Sequence, residues 1–137
     1  MRVTEATLKR ELMRSLQTLL PDAVALRHED RFISGIPDLS ITFQGKTSWW
    51  ECKYADPFCI SSQLQRHLCA CLARHGSWCQ YIIFQRGIAR PVDPRPRQIR
   101  VVNPEDFDQW DYLGRVLSDG RFDFHSLVRY FQEVHRS

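Results

Sequence analysis

The sequence predicts an α/β fold, a mixed sheet flanked by helices, and three observations lead there. Residues 4–20 place leucines at helical spacing, and residues 39–54 alternate apolar and polar side chains on both sides of a tight turn. The third is a second helical stretch that runs into Gln80-Tyr81-Ile82-Ile83-Phe84-Gln85, an unbroken apolar segment of the kind buried on both faces. A helix between two strands is the crossover that parallel pairing requires.

Leu8, Leu12, Leu16 and Leu19 share one face of the first helix at 100° per residue, with Leu20 on its margin. Glu5 projects into that face and Glu11 falls outside it. Thr4 is the expected cap, with Glu5 in a first turn whose dipole favours negative charge. Ala23–Arg27 reads as a short strand. Leu39-Ser40-Ile41-Thr42-Phe43 then alternates as a half-buried strand, Gln44-Gly45-Lys46 makes a hairpin, and residues 47–54 return antiparallel. The second helix opens near Ser61 or Ser62 and ends before Gly76, with Leu64, Leu68, Cys71, Leu72 and His75 as its apolar stripe. The resulting order is α-β-β-β-α-β over about residues 4–86.

An extension over about residues 97–137 comes next, in which Gln98–Val102 adds an edge strand. Asn103 caps a helix with Pro104 in its first position. A last helix near residues 125–135 carries Phe124, Leu127, Val128, Phe131 and Val134 as core or as a docking face for a protein partner. Between core and extension, Pro91-Val92-Asp93-Pro94-Arg95-Pro96-Arg97 is a stiff loop rather than a helix or a central strand.

At 137 residues and 43% hydrophobic, the chain builds one domain, residues 1–137, and hardly two. It has no apolar run of the length that crosses a membrane, and Met1 leads directly into a helix, so neither a membrane span nor a secretory signal is expected. Five cysteines without a C-x-x-C pair leave one unpaired under full oxidation, which points to a reducing, cytoplasmic interior. Cys69-x-Cys71 with His67 or His75 diverges around a helix and makes a poor zinc patch. The net charge of +3 does not by itself announce a nucleic-acid partner. Placement says more, because Arg86, Arg90, Arg95, Arg97 and Arg100 gather around the proline-rich loop, which is either a surface spacer between strands or a phosphate-contacting arm.

The chemistry concentrates elsewhere. In the strand Trp49-Trp50-Glu51-Cys52-Lys53-Tyr54, alternation puts Glu51 and Lys53 on one face and Trp50, Cys52 and Tyr54 on the other. The hairpin brings Asp38, just after the Gly35-Ile36-Pro37 turn, beside Glu51. Two hard oxygen ligands with open positions suit Mg²⁺ or Mn²⁺, and a neighbouring lysine can orient an attacking water. That combination fits hydrolysis of a phosphodiester. Each part alone is commonplace: Pro-Asp is usually a plain turn, and Glu-x-Lys on a strand is usually a solvated ion pair.

In this order the residues resemble the PD-(D/E)xK nuclease superfamily. The fuller string, Gly35-x-Pro37-Asp38-Leu39, Glu51-x-Lys53 and Ser62-x-x-Gln65 with a later glycine, is similar to its virus-type replication-repair branch, over about residues 5–85. The resemblance implies a restriction-endonuclease-like αβββαβ core and a Mg²⁺-dependent deoxyribonuclease, an endonuclease. Asp38 and Glu51 would hold the metal with the backbone carbonyl of Cys52, and Lys53 would position the water. The superfamily asks for an acidic residue on the first helix, and Glu5 is the candidate, as a supporting residue and third metal ligand. Gln65 would approach the scissile strand. It also fits a capping box with Ser62, a purely structural role. His28 suits a general base by its ordinary pKa and a surface loop by its position, while Arg27 and Arg31 are equal candidates for gripping phosphate.

Two alternatives stand beside that reading. One is a non-catalytic DNA-binding or assembly module of the same fold, for instance a virion-associated part, docking through the last helix. The other is a nuclease selective for structure or for RNA, such as a junction or flap enzyme acting as a homodimer.

Overall fold

The computed structural model describes residues 3–29, 35–87 and 97–136. Glu5–Leu19 form α1, followed by β1 (Val24–Arg27), β2 (Leu39–Phe43), β3 (Lys46–Ala55), α2 (Gln63–Arg74), β4 (Trp78–Gln85) and β5 (Gln98–Val102). A 3₁₀ segment at Pro104–Gln109 runs into α3 (Trp110–Leu113), and then come β6 (Arg115–Asp119) and α4 (Phe124–Arg136). The strands make one six-stranded sheet in sequence order, antiparallel throughout except between β3 and β4. This is a mixed α/β sheet with helices on both faces, and its first six elements keep the expected α-β-β-β-α-β order.

Each face has its own core. Leu8, Leu12 and Leu16 of α1 and Leu127, Val128 and Phe131 of α4 pack with Leu39, Ile41, Trp50, Cys52, Ile82 and Phe84. On the other face Cys69 of α2, with Phe107 and Trp110, packs against Ala55, Cys79, Tyr81, Ile83 and Val102. Strand β4 therefore sends alternate side chains into both cores, the reason its sequence is apolar without alternation. The Thr4 cap is present, accepting from the Thr7 N–H at 3.2 Å. At the far end of the sheet the buried His135 of α4 bonds Ser48 Oγ at 2.8 Å and the Phe43 carbonyl at 3.2 Å.

Several expectations are corrected. The face that α2 turns to the sheet is not the Leu64, Leu68, Cys71, Leu72, His75 stripe. Leu64 and His75 are exposed, and Cys69 is the buried residue, with Leu72 beside it. Gln65, Cys69 and Leu72 stand four and three positions apart, one helical face, and Gln65 must look at Lys53. Cys69 is also disulfide-bonded to Cys79, with Cα atoms 5.4 Å apart, so the thiols are not all free. The crossover lays α2 against the strand after it, a proximity that spacing along the chain conceals. Strand β5 is not an edge, because β6 pairs along it with a register shift between Ile99 and Arg100. Nothing local marks the short β6, whose identity comes from that long-range pairing. Asn103 does not cap with its side chain; its Oδ1 accepts from Gln80 Nε2 at 2.7 Å, and the residues after it form a 3₁₀ turn. Finally, the apolar face of α4 is core and is not free for docking, since Leu127 and Phe131 are wholly buried.

Candidate active site

Asp38 stands at the mouth of β2. Gly35 takes a positive φ of 84° and lies against Leu64 of α2, where a Cβ would come within 2.8 Å of the leucine side chain. That turn delivers Pro37 and Asp38 to the sheet. The Asp38 carbonyl accepts from the His28 N–H at 2.8 Å, extending the β1–β2 pairing by one rung. Its side chain does something a backbone usually does: Oδ2 accepts from the Cys52 N–H at 2.9 Å, just past the last β2–β3 partners, Leu39 and Trp50. In a strand the N–H and C=O of one residue point to the same neighbour, so the Cys52 carbonyl is directed to the Asp38 side as well.

Glu51, next to Cys52, is 2% exposed, and its Oε2 is buried without a hydrogen-bond partner. Burial, and then hydrogen bonding to Asp38, push its carboxyl up to about 9. Asp38 is half-buried, and burial alone would raise its pKa, yet it is lowered, because Glu51, Lys9 and the Cys52 N–H all hydrogen-bond its charged form. The two carboxyls thus share a site in which Asp38 keeps the negative charge and Glu51 the proton, as like charges in one pocket require. A buried acid with an unsatisfied oxygen, a second carboxylate and a backbone carbonyl on the same side form a hard-oxygen donor set that fits Mg²⁺ or Mn²⁺.

Lys53 lies on the α2 face with Glu51. Its ammonium donates to Gln65 Oε1 at 3.0 Å. The same oxygen accepts from Ser61 Oγ and from the Ser62 N–H, each at 3.2 Å, so Gln65 caps α2 and contacts Lys53 with one atom. Ser61 also bonds the Tyr81 hydroxyl, which ties the arrangement to β4. Glu5, half-buried in the first turn of α1, has its pKa raised by burial, with the charges of Lys9 and Lys53 opposing that rise. It borders the site. Among the described residues, however, no three His, Cys, Asp or Glu side chains gather as a metal-ligating group.

The residue that sequence reasoning missed is Lys9. Its ammonium donates to Asp38 Oδ1 at 2.9 Å. The available signal was its i, i+4 spacing from Glu5, which puts both on one side of α1. Burial opposes the charge of Lys9, but the hydrogen bond to Asp38 and that residue's charge outweigh it and raise the pKa.

Other expected residues are engaged elsewhere. The His28 ring bonds Ser40 Oγ at 2.8 Å and packs on Trp49, and Arg27 pairs with Glu29 at 2.7 Å. Arg31, Arg90 and Arg95 lie outside the described residues. Arg86 pairs with Asp56 at 2.9 Å, the Arg97 guanidinium lies over the Phe122 ring, and Arg100 donates to the Gly114 carbonyl at 3.1 Å. Arg86 and Arg97 nevertheless line a groove of about 670 Å³ together with Thr4, Glu5, Tyr54 and Asp56. The Cys69-x-Cys71 zinc patch is removed by the disulfide at Cys69. No helix among the described residues is long and apolar enough to cross a membrane.

Compared with known proteins, the sequence matches no family model and no curated protein. Among solved structures, the chain is similar to a Holliday junction resolvase from Archaeoglobus fulgidus, an archaeal hyperthermophile. The two share 16% identity over 70% of this chain and 77% of that one, with a TM-score of 0.47.

Proposed function

We propose that the chain is a metal-dependent nuclease of the PD-(D/E)xK type, close to the virus-type replication-repair branch, that hydrolyses DNA phosphodiester bonds as an endonuclease. The observation that supports this best is the meeting of Asp38, Glu51 and Lys53 at one end of the sheet, with a buried Glu51 oxygen that lacks a partner. Mg²⁺ or Mn²⁺, held by Asp38, Glu51 and the Cys52 carbonyl, would polarise the phosphodiester and make water a better nucleophile at neutral pH.

The side chains do the rest. Asp38 is held through Oδ2 by the Cys52 N–H, which sets the direction of its carboxylate. Lys53, restrained by Gln65, orients the attacking water and offsets the negative charge that grows on the phosphate in the transition state. Glu5 steadies the two lysines. Arg86 and Arg97, along the groove that Glu5 also lines, contact phosphates of neighbouring nucleotides, which contributes salt-dependent affinity without sequence readout.

The test is cleavage of plasmid, linear duplex, flap, four-way junction and RNA with Mg²⁺ or Mn²⁺, beside EDTA and the Asp38→Asn and Lys53→Ala proteins. Cutting that needs the metal and falls by about 10²-fold or more in both variants is expected. The substrate cut fastest assigns the class, and a junction-selective enzyme should sediment as a dimer. Undiminished cleavage by folded Asp38→Asn protein would sink the mechanism. DNA binding without cutting, indifferent to EDTA, would replace it with a non-catalytic module.

A further inference from the structure

Both oxygens of Asp38 already have donors, the Cys52 N–H on Oδ2 and the Lys9 ammonium on Oδ1, each at 2.9 Å. The Lys9–Asp38 pair is only 20% and 19% exposed, so it is not a solvated surface contact. Without Lys9, the Asp38 carboxylate would keep the Cys52 N–H and the Glu51 carboxyl as partners but lose the cation paired with it, a costly arrangement for a partly buried charge.

We propose that Lys9 is a resident counter-ion standing in the cation position of Asp38, and that it must swing away before a divalent cation can bind there. The inference rests on the reading of this site as a metal site. Helix α1 cannot itself withdraw: Thr4 caps it, and Leu8, Leu12 and Leu16 bury its face against the sheet. The movable part is the flexible four-carbon stem of the lysine. Glu5, one turn earlier on the same side of the helix, already interacts with the Lys9 charge and offers the displaced ammonium a second carboxylate. Lys9 therefore has two opposed effects. It stabilises the metal-free fold and weakens metal binding.

The test measures Mn²⁺ binding directly, by loss of the free-ion electron paramagnetic resonance signal, for the wild type and Lys9→Met at constant pH. An adjacent cation alters a carboxylate's affinity for a proton by about one to three powers of ten. Loss of the lysine should accordingly tighten Mn²⁺ binding by about tenfold. Metal-free Lys9→Met should melt below the wild type, and Mn²⁺ should raise its Tm by more. If that variant does not fold, Lys9→Gln, which still hydrogen-bonds Asp38 without the charge, carries the same expectation. Unchanged or weaker Mn²⁺ binding by the folded variant overturns the proposal and makes Lys9 an orienting contact or a bystander. Asp38→Asn separates the two readings. If it abolishes Mn²⁺ binding while loss of Lys9 changes nothing, only the counter-ion role fails. If Mn²⁺ binds equally without Asp38, or binds none of these proteins at millimolar concentration, the metal site fails as well.

Discussion

Lys53 on β3 and Gln65 on α2, 12 residues apart, are joined by a 3.0 Å hydrogen bond across the connection that links their elements. The glutamine oxygen that receives the ammonium also receives the Ser62 N–H, so the start of α2 and the position of the lysine are one piece of structure. A backbone cap thereby becomes a support for a charged side chain.

Substitution should separate these two roles. Ser62→Ala removes the N-cap acceptor of the Gln65 N–H and should cost about 1 kcal/mol of stability, read from urea unfolding. Gln65→Ala should cost a similar amount but reduce cleavage far more, because it also frees Lys53. Equal effects of the two variants on cleavage would show that Gln65 is only a cap.

The Glu51 carboxyl gives the fold a pH signature. Its folded-state pKa, near 9, lies above the ordinary 4.5, so its favourable contribution is complete below pH 4.5 and is lost as the pH rises toward 9. Glu51→Gln keeps the shape and removes the titration. Compared in EDTA by thermal melting, the two proteins should differ in Tm by a fixed amount below pH 4.5, and the difference should move in favour of the glutamine variant up to about pH 9. A gap that does not change with pH would contradict the raised pKa.

Gly35 needs its conformational freedom twice over, by its φ of 84° and by the Leu64 side chain 2.8 Å from any added Cβ. Gly35→Ala should destabilise by about 1–3 kcal/mol. It should also weaken Mn²⁺ binding, since the turn that places Asp38 has to shift. Unaltered stability and binding would mean that the turn does not set the carboxylate's position.

The last helix can be tested as core. Phe131 is wholly buried and packs its ring 4.7 Å from that of Trp50, centre to centre. Phe131→Ala should cost about 3–5 kcal/mol in chemical denaturation. A loss below about 0.5 kcal/mol would mark this face as a surface awaiting a partner.

Much of this was legible in the chain because local physics decides it. The leucines of α1, the alternation of β2 and β3, the Gly35 turn and the doubly buried β4 each arise from a period or a steric requirement. Periodicity also put Glu51 and Lys53 on one face, and the hairpin brought Asp38 to them. The orientation of α2 was not legible, because a helix with several apolar residues has more than one plausible buried face, and the choice fell to Gln65 and Cys69. Strand β6 was missed for a similar reason, since its five residues are strand only by pairing with β5.

By itself, then, the sequence determined the first six elements, α1 to β4, their order and the placing of Asp38, Glu51 and Lys53 near one another, because these depend on spacings within one element or across one tight turn. Only the tertiary structure decided that Lys9 pairs with Asp38, that Cys69 meets Cys79, that α4 is core, and which of two neighbouring carboxyls keeps a proton. Those outcomes depend on burial and on contacts between residues distant along the chain. The free energy of a charge or a thiol is set by what surrounds it in space, and no local pattern specifies those surroundings.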